Sequence, residues 1–305
     1  MLLQNIGTPA KPFLKWAGGK GQLIEQLRQN LPKEIATSGR IKKYFEPFMG
    51  GGAVFFWLSQ GYEIKQAYLY DINPEIVMAY KAVKSNMNAL VKQLGELEKE
   101  YYATRKTSRD RIFYEKREEY NGYISRRVPN NVVRRTALLV FLNKTCFNGL
   151  FRVNSHGLFN VPFGRYERPT ICDEDNLKAI NKVLKNTHNE KADFSECLKN
   201  ADEQSFVYFD PPYRPISRTA NFTGYIKGGF DDNEQQRLKR VFDQLNAKGT
   251  KVMLSNSDPQ NINPDDDFFD ALYQRYSIKR LLANRMINSN AAKRGGIKEI
   301  LITNY

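Results

Sequence analysis

Five short apolar runs stand out along the chain, and each ends in turn chemistry: YFEPFMGGG (44–52), AYLYDINP (67–74), SFVYFDPP (205–212), KVMLSNSD (251–258) and EILITNY (299–305). Runs of this length, rich in aromatic and β-branched residues and lacking polar alternation, predict strands buried on both faces, as in a parallel sheet. Helical periodicity at 21–30, 53–60 and 233–247 lies between them. Strand alternating with helix predicts an α/β fold built on a doubly wound, mostly parallel sheet.

The rhythm breaks between residues 76 and 195. Long charged helical periodicity fills 76–102 and 109–120, and a further helix is predicted over 131–142. A loop-rich segment follows, NKTCFNGLFRVNSHGLFNVPFGRYERP (143–169), in which LFRVNSHGLFNVP reads as a β-hairpin turning at Ser155, His156 and Gly157. Strand character resumes at Ser205. The expected organisation is a sheet domain of 1–75 and 193–305, interrupted by a mostly helical inserted domain of 76–192 that carries the hairpin.

Charge sharpens this division. The 305 residues carry a net +14, and residues 81–191 alone hold 22 Lys and Arg against 12 Asp and Glu, or +10. Excess positive charge gathered in one segment points to a polyanion such as nucleic acid, with a solvated helical surface as the ordinary alternative. The two histidines (His156, His188) and three widely spaced cysteines (Cys146, Cys172, Cys197) exclude a disulfide framework and leave no metal site expected. No apolar run approaches the roughly 18 residues a bilayer span requires. The start, MLLQNIGTPAKPF, lacks the charged-then-apolar order of a secretory leader, so a cytoplasmic location is expected.

Three stretches carry candidate chemistry. FMGGG (48–52) places Phe48, Gly50 and Gly52 between a strand and a helix, where glycine lets backbone approach a ligand and leaves helix amides open to it. The spacing is not a full dinucleotide fingerprint. Asp71 closes the next strand about twenty residues on, where an acidic side chain takes up ribose hydroxyls; capping the helix that starts at Asn73-Pro74 is its alternative use. Together these suggest a nucleoside-containing cofactor. FLKWAGGK (13–20) adds Trp16 and Lys20 around a small-residue turn, but without Walker spacing, which disfavours nucleoside triphosphate hydrolysis. In FDPPY (209–213) two prolines stop a strand and fix the backbone beyond it. Asp210 and Tyr213 are thereby held at a strand's carboxyl end, where open α/β sheets bind ligands.

The order FLKWAGGK, FMGGG, DIN (71–73), a basic insert, FDPPY and EILITNY resembles the Dam-type DNA adenine-N6 methyltransferases of the alpha group, over nearly the whole chain. Within the insert, NKTCFNGLFRVN and GLFNVPFGRY resemble the hairpin with which that family reads GATC. The resemblance implies a Rossmann-like methyltransferase sheet with an inserted DNA-recognition domain. It implies S-adenosylmethionine as cofactor and double-stranded DNA as partner, with no membrane and no obligatory protein partner; a cognate restriction endonuclease would act separately. By position it assigns Trp16, Lys20, Phe48, Gly50, Gly52, Asp71 and Asp210 to the cofactor, with Asp193 and Phe194 beside its adenine portion. Catalysis falls to Asp210, Pro211, Pro212 and Tyr213. On the DNA side it puts Arg152 on guanine O6 and N7, Leu150 and Pro162 on bases, Phe147 and Asn148 beside a flipped nucleotide, and Asn160 on the same hairpin. A phosphate contact or surface ion pair is the alternative for Arg152. Lys144, Arg126, Arg127, Arg134 and Arg135 are expected on backbone phosphate or in solvent.

The implied chemistry explains FDPPY. The lone pair of an exocyclic adenine amine is delocalised into the ring, so the amine needs acceptors aimed at both N–H bonds as the methyl arrives. Asp210 and the Pro211 carbonyl would supply them, while Tyr213 stacks on the extruded base, helped by Phe222 or Tyr225. Asp in the first position accords with adenine-N6 enzymes; cytosine-N4 relatives usually carry SPPY or SPPW and glutamine-modifying relatives NPPY. A relative acting on another DNA site or on RNA, and a DNA-binding module without chemistry, stand as rival readings.

Overall fold

The computed structural model describes residues 8–16, 20–21, 23–214, 230–283 and 297–305. Seven strands among them form one sheet: β1 (Arg40–Glu46), β2 (Glu63–Asp71), β3 (Thr187–Lys191), β4 (Ser205–Phe209), β5 (Lys251–Ser257), β6 (Ser277–Ala283) and β7 (Ile297–Thr303), in the order β3-β2-β1-β4-β5-β7-β6. The first five run parallel; β7 is antiparallel between β5 and β6. Strand order reverses between β1 and β4, which opens a crevice at the carboxyl ends of those two strands. This is the doubly wound, mostly parallel sheet that the strand–helix alternation anticipates.

Period-two alternation feeds two cores. Phe45, Val207, Phe209, Val252, Leu254, Ile300 and Ile302 point to one face, under α8 (Asp232–Ala247) and α9 (Phe268–Leu272). Tyr44, Phe206, Tyr208, Met253 and Leu301 point to the other. That face packs against α1 (Ile24–Gln29), α2 (Lys33–Ser38), α3 (Ala53–Gly61) and the start of α4 (Pro74–Ala103). All five residues of β4 are buried, as its unbroken apolar run requires.

The long helix α4 carries the chain from sheet to insert. Asn73 caps it by accepting from the Glu75 amide, and Pro74 sits in its first turn. Its first half buries Ile76, Val77, Ala79, Tyr80 and Val83. After a non-helical Asn86, its second half presents Leu90, Leu94, Leu97 and Tyr101 at helical spacing to α6 (Val132–Thr145), which also packs on α5 (Arg109–Ile124). These residues join Phe55 of α3 and Leu69 of β2 in a single hydrophobic cluster. The insert is therefore separate in sequence but shares its core with the sheet.

One expectation changes. Strand β3 pairs with β2 from Thr187 onward, so the sheet resumes inside the range 76–192 assigned to the insert, and α7 (Glu174–Val183) packs beside it on α4 and α3. The sequence THNEK gave no apolar signal because β3 is an edge strand burying only Thr187 and Asn189. The hairpin within 150–162 is a narrow one: Val153 bridges Phe159 antiparallel, Asn160 donates its amide to the Arg152 carbonyl, and the turn closes from Gly157 to Asn154. No described helix is long and apolar enough to cross a membrane, and no described cluster of His, Cys, Asp or Glu has the makings of a metal site.

Candidate active site

The crevice between β1 and β4 collects the three stretches singled out above. At the end of β2, one Asp71 oxygen accepts the Gly50 amide at 2.9 Å and the other the Asn73 amide at 2.8 Å. Burial pushes this carboxyl up to about 6, while those amides pull it back toward ionisation. Asp71 thus holds the glycine loop in place, beyond the capping role that was its alternative. Gly50 (φ 45°) and Gly52 (φ 69°) adopt left-handed backbone. A Cβ at Gly52 would lie 2.3 Å from the Tyr80 hydroxyl, and one at Gly50 would lie 3.0 Å from the Trp16 ring. The loop is consequently bare backbone under a tryptophan, leading into the N-terminus of α3.

A nucleoside-containing cofactor fits this arrangement. Tyr80 Oη is buried without a hydrogen-bond partner among the described residues, directly behind the loop, and an aromatic wall stands to one side: Phe48 stacks on Phe194 at 5.4 Å and meets Phe230 edge-on at 5.6 Å. Arg237 lies 3.9 Å over the Phe194 ring and grips both Asp193 oxygens at 2.8 Å. That guanidinium holds the Asp193 carboxyl well below the usual range. Asp193 also accepts from the Ser195 amide and hydroxyl. Its carboxylate is thus engaged in a local turn and an ion pair, and Phe194 stands in the wall.

At the end of β4, Asp210 lies 2.9 Å from Lys20 Nζ. Burial raises the Asp210 carboxyl to about 6; Lys20 opposes that rise and Glu299 adds to it. Lys20 also donates to the Tyr213 hydroxyl at 2.5 Å and lies 4.4 Å over its ring, and the Tyr213 hydroxyl in turn donates to Glu299. Behind the prolines, the Arg214 amide donates to Asn256 Oδ1, Asn256 donates to Gln235, and the Arg214 guanidinium bridges Asp232 and Asp266 at 2.7 Å each. These bonds fix the exit of the DPPY turn. Phe222 and Tyr225 lie outside the described residues.

Sequence reasoning missed several residues of this crevice. Glu46, at the end of β1, is buried, accepts from Tyr44 at 2.7 Å and is pushed by burial to about 8. Glu299 enters from β7. Asn143 accepts from the Lys15 amide at 2.7 Å and donates to the Lys15 and Gly149 carbonyls, tying FLKW to the loop-rich segment that follows α6. For Glu46 and Glu299 the available signal was a carboxylate at the edge of a strand's apolar run, after Tyr44-Phe45 and before Ile300-Leu301-Ile302.

The insert presents its own rim. Phe147 is 51% exposed, Asn148 is left-handed at φ 55°, and the Phe147 amide donates to the Pro162 carbonyl. Exposed Arg152 spans the hairpin, donating to Asn160 Oδ1 at 2.8 Å and to the Asn160 carbonyl at 3.2 Å. Leu150 packs half-buried on the core. Trp16 stacks on Phe151 at 5.2 Å, so the glycine loop and this rim meet through one indole. The other basic residues divide. Arg126 and Arg127 are exposed, but Lys144 is half-buried, and burial together with Lys15 lowers its pKa. Arg134 forks onto Glu119 at 2.7 and 2.9 Å and donates to Gln93. Arg135 pairs with buried Glu75. The expected phosphate roles of Arg134 and Arg135 are corrected accordingly: both staple helices together.

Comparison with known proteins accords with this geometry. Residues 16–287 match the family described as D12 class N6 adenine-specific DNA methyltransferase. A Type II methyltransferase of Methanocaldococcus jannaschii, M.MjaIII, is 47% identical over 97% of this chain and 99% of its own. M1.LlaDCHI of Lactococcus lactis subsp. cremoris, also a Type II methyltransferase, is 37% identical over 100% and 99%. The DNA adenine methylase of Escherichia coli K12 is 32% identical over 95% and 94%.

Proposed function

This chain belongs to the D12 class of N6 adenine-specific DNA methyltransferases, and from that membership we propose that it methylates adenine within GATC in double-stranded DNA, with S-adenosylmethionine as donor and the target base turned out of the duplex. The observation that carries the reading is the placement of Asp210 beside Lys20 at the β1–β4 crevice, next to the bare glycine loop that Asp71 holds.

Trp16, the Gly50–Gly52 backbone, Asp71 and the Phe48–Phe194 wall would hold the donor, which when bound supplies a methyl group already activated as a sulfonium. The protein's part is positioning. Ionised Asp210 accepts one N–H of the adenine amine and the Pro211 carbonyl accepts the other, which lets the nitrogen pyramidalise toward the methyl group. Tyr213 gives the extruded base a stacking face, and the bonds through Asn256, Gln235 and Arg214 keep the turn from relaxing. A base inside a duplex is out of reach of so recessed a carboxylate, which favours flipping. The exposed Arg152–Asn160 pair has the donor fork and the reach for a guanine in the major groove.

The test is direct. The protein is incubated with labelled S-adenosylmethionine and duplexes that carry GATC or its permutations, and modified nucleosides are identified by mass spectrometry. N6-methyladenine confined to GATC is expected, and Asp210→Ala should abolish it while duplex binding persists. Methylation at another site, or of RNA in preference to DNA, would overturn the assignment.

A further inference from the structure

Strand β7 carries a carboxylate where its packing calls for none. Glu299 shares a sheet face with Leu301, which is buried against Met253 and Tyr208; its neighbours across the strands are Ser257 and Leu281. Placing a charge on that face carries a desolvation cost, and what offsets it lies in the crevice: Glu299 accepts the Tyr213 hydroxyl and sits 3.9 Å from Lys20 Nζ. Lys20 is the group 2.9 Å from Asp210. Three segments far apart in sequence therefore meet on one ammonium that stands between two carboxylates.

We propose that Glu299 is a positioning residue for methyl transfer: it fixes the plane of the Tyr213 ring and, as a second anion 3.9 Å from Lys20 Nζ, holds that ammonium on Asp210 Oδ1 alone, so that the other Asp210 oxygen is kept for the adenine amine. This rests on the reading that Asp210 and Tyr213 receive the target base. With Glu299 neutral, Lys20 loses that second anion, swings across both Asp210 oxygens and competes with the substrate's N–H. The groups facing Glu299 are Lys20, Asp210, Tyr208 and Tyr213, with Glu46 beyond Asp210. Because the Glu299 charge opposes ionisation of Asp210, losing it makes Asp210 ionise at lower pH.

The signature is therefore double. In Glu299→Gln, kcat should fall about tenfold, as for a lost charge-assisted contact, with KM for DNA within about twofold, and the acid limb of kcat should move to lower pH. Simple structural damage would lower activity without moving that limb in this direction. A second readout needs no substrate: the side-chain carboxyl carbon-13 resonance of Asp210, assigned by its loss in Asp210→Asn, should titrate at lower pH in Glu299→Gln than in the wild type. Tyr213→Phe, which severs the hydroxyl link and keeps both charges, should lower kcat with a smaller shift and serves where Glu299→Gln does not fold. An unchanged Asp210 titration in Glu299→Gln, or an unchanged kcat in both variants, overturns the proposal. Failure of the wild type to methylate adenine counts against the proposed function alone, since the titration stands without it.

Discussion

Asp210 should make the protein less stable in the state in which it works. Its carboxyl is 19% exposed and is raised from an ordinary 3.8 to about 6 by burial, even with Lys20 beside it. The unfolded chain ionises this group first, so stability falls as pH rises from about 4 through 6 and stays lower above that window. Two pKa units at about 1.4 kcal/mol each set the cost of ionised Asp210 near 3 kcal/mol as an upper figure. Roughly half is already present at pH 5. Asp210→Asn removes the charge and keeps the shape, so its stability relative to wild type should improve by about 1–1.5 kcal/mol between pH 5 and pH 8, or about 2–3 °C in Tm. Taking the difference between two pH values cancels whatever hydrogen-bond geometry the amide loses at both. On the proposed mechanism the same substitution should lower kcat by at least about a hundredfold, because the charged acceptor for the amine becomes a neutral, weaker one. Thermal melts of both proteins at the two pH values, with methyl transfer measured on the same samples, make the test. If the relative stability of Asp210→Asn falls on going to pH 8, Asp210 gains rather than loses by ionising in its site, and the account of a carboxylate held under strain for catalysis is wrong.

Gly52→Ala meets the Tyr80 hydroxyl at 2.3 Å and a left-handed φ of 69°, and should weaken S-adenosylmethionine binding and cost roughly 1–3 kcal/mol of stability; calorimetric titration and melting check it, and wild-type affinity would show that the loop tolerates a side chain. Arg152→Ala should cost about 1–3 kcal/mol of discrimination at one base pair, read from methylation rates on duplexes altered at single positions; equal weakening on every sequence would move Arg152 to the phosphates. Glu75→Gln leaves Arg135 and Tyr120 facing a neutral amide in a buried site and should destabilise the fold by about 3–5 kcal/mol, with chemical denaturation as the measurement; a loss below about 1 kcal/mol would mean that the cluster relaxes freely.

How much of this was legible in the sequence follows from how each residue earns its place. Strands β1, β2, β4, β5 and β7 announced themselves because burial on one or both faces forces apolar composition, and their ends were visible because glycine, proline and asparagine have backbone consequences of their own. The DPPY turn, the glycine loop and Asp71 were readable for the same reason. Edge strand β3 was not, since a strand that buries Thr187 and Asn189 alone has no hydrophobic pattern to display. Arg134 and Arg135 looked like DNA ligands because composition reports charge but not counter-charge: their partners, Glu119 and Glu75, lie 15 and 60 residues away, and only the packing of α5 and α4 against α6 brings them together. Glu299 was hidden in the opposite way. It heads a run that predicts a strand so well that its charge, next to Lys298, reads as that strand's polar end, and its meaning depends on Lys20, which is met near the other end of the chain. The polar residues that tune this site are thus the ones whose partners are remote in sequence, so local pattern locates the crevice and tertiary contact alone gives its electrostatics.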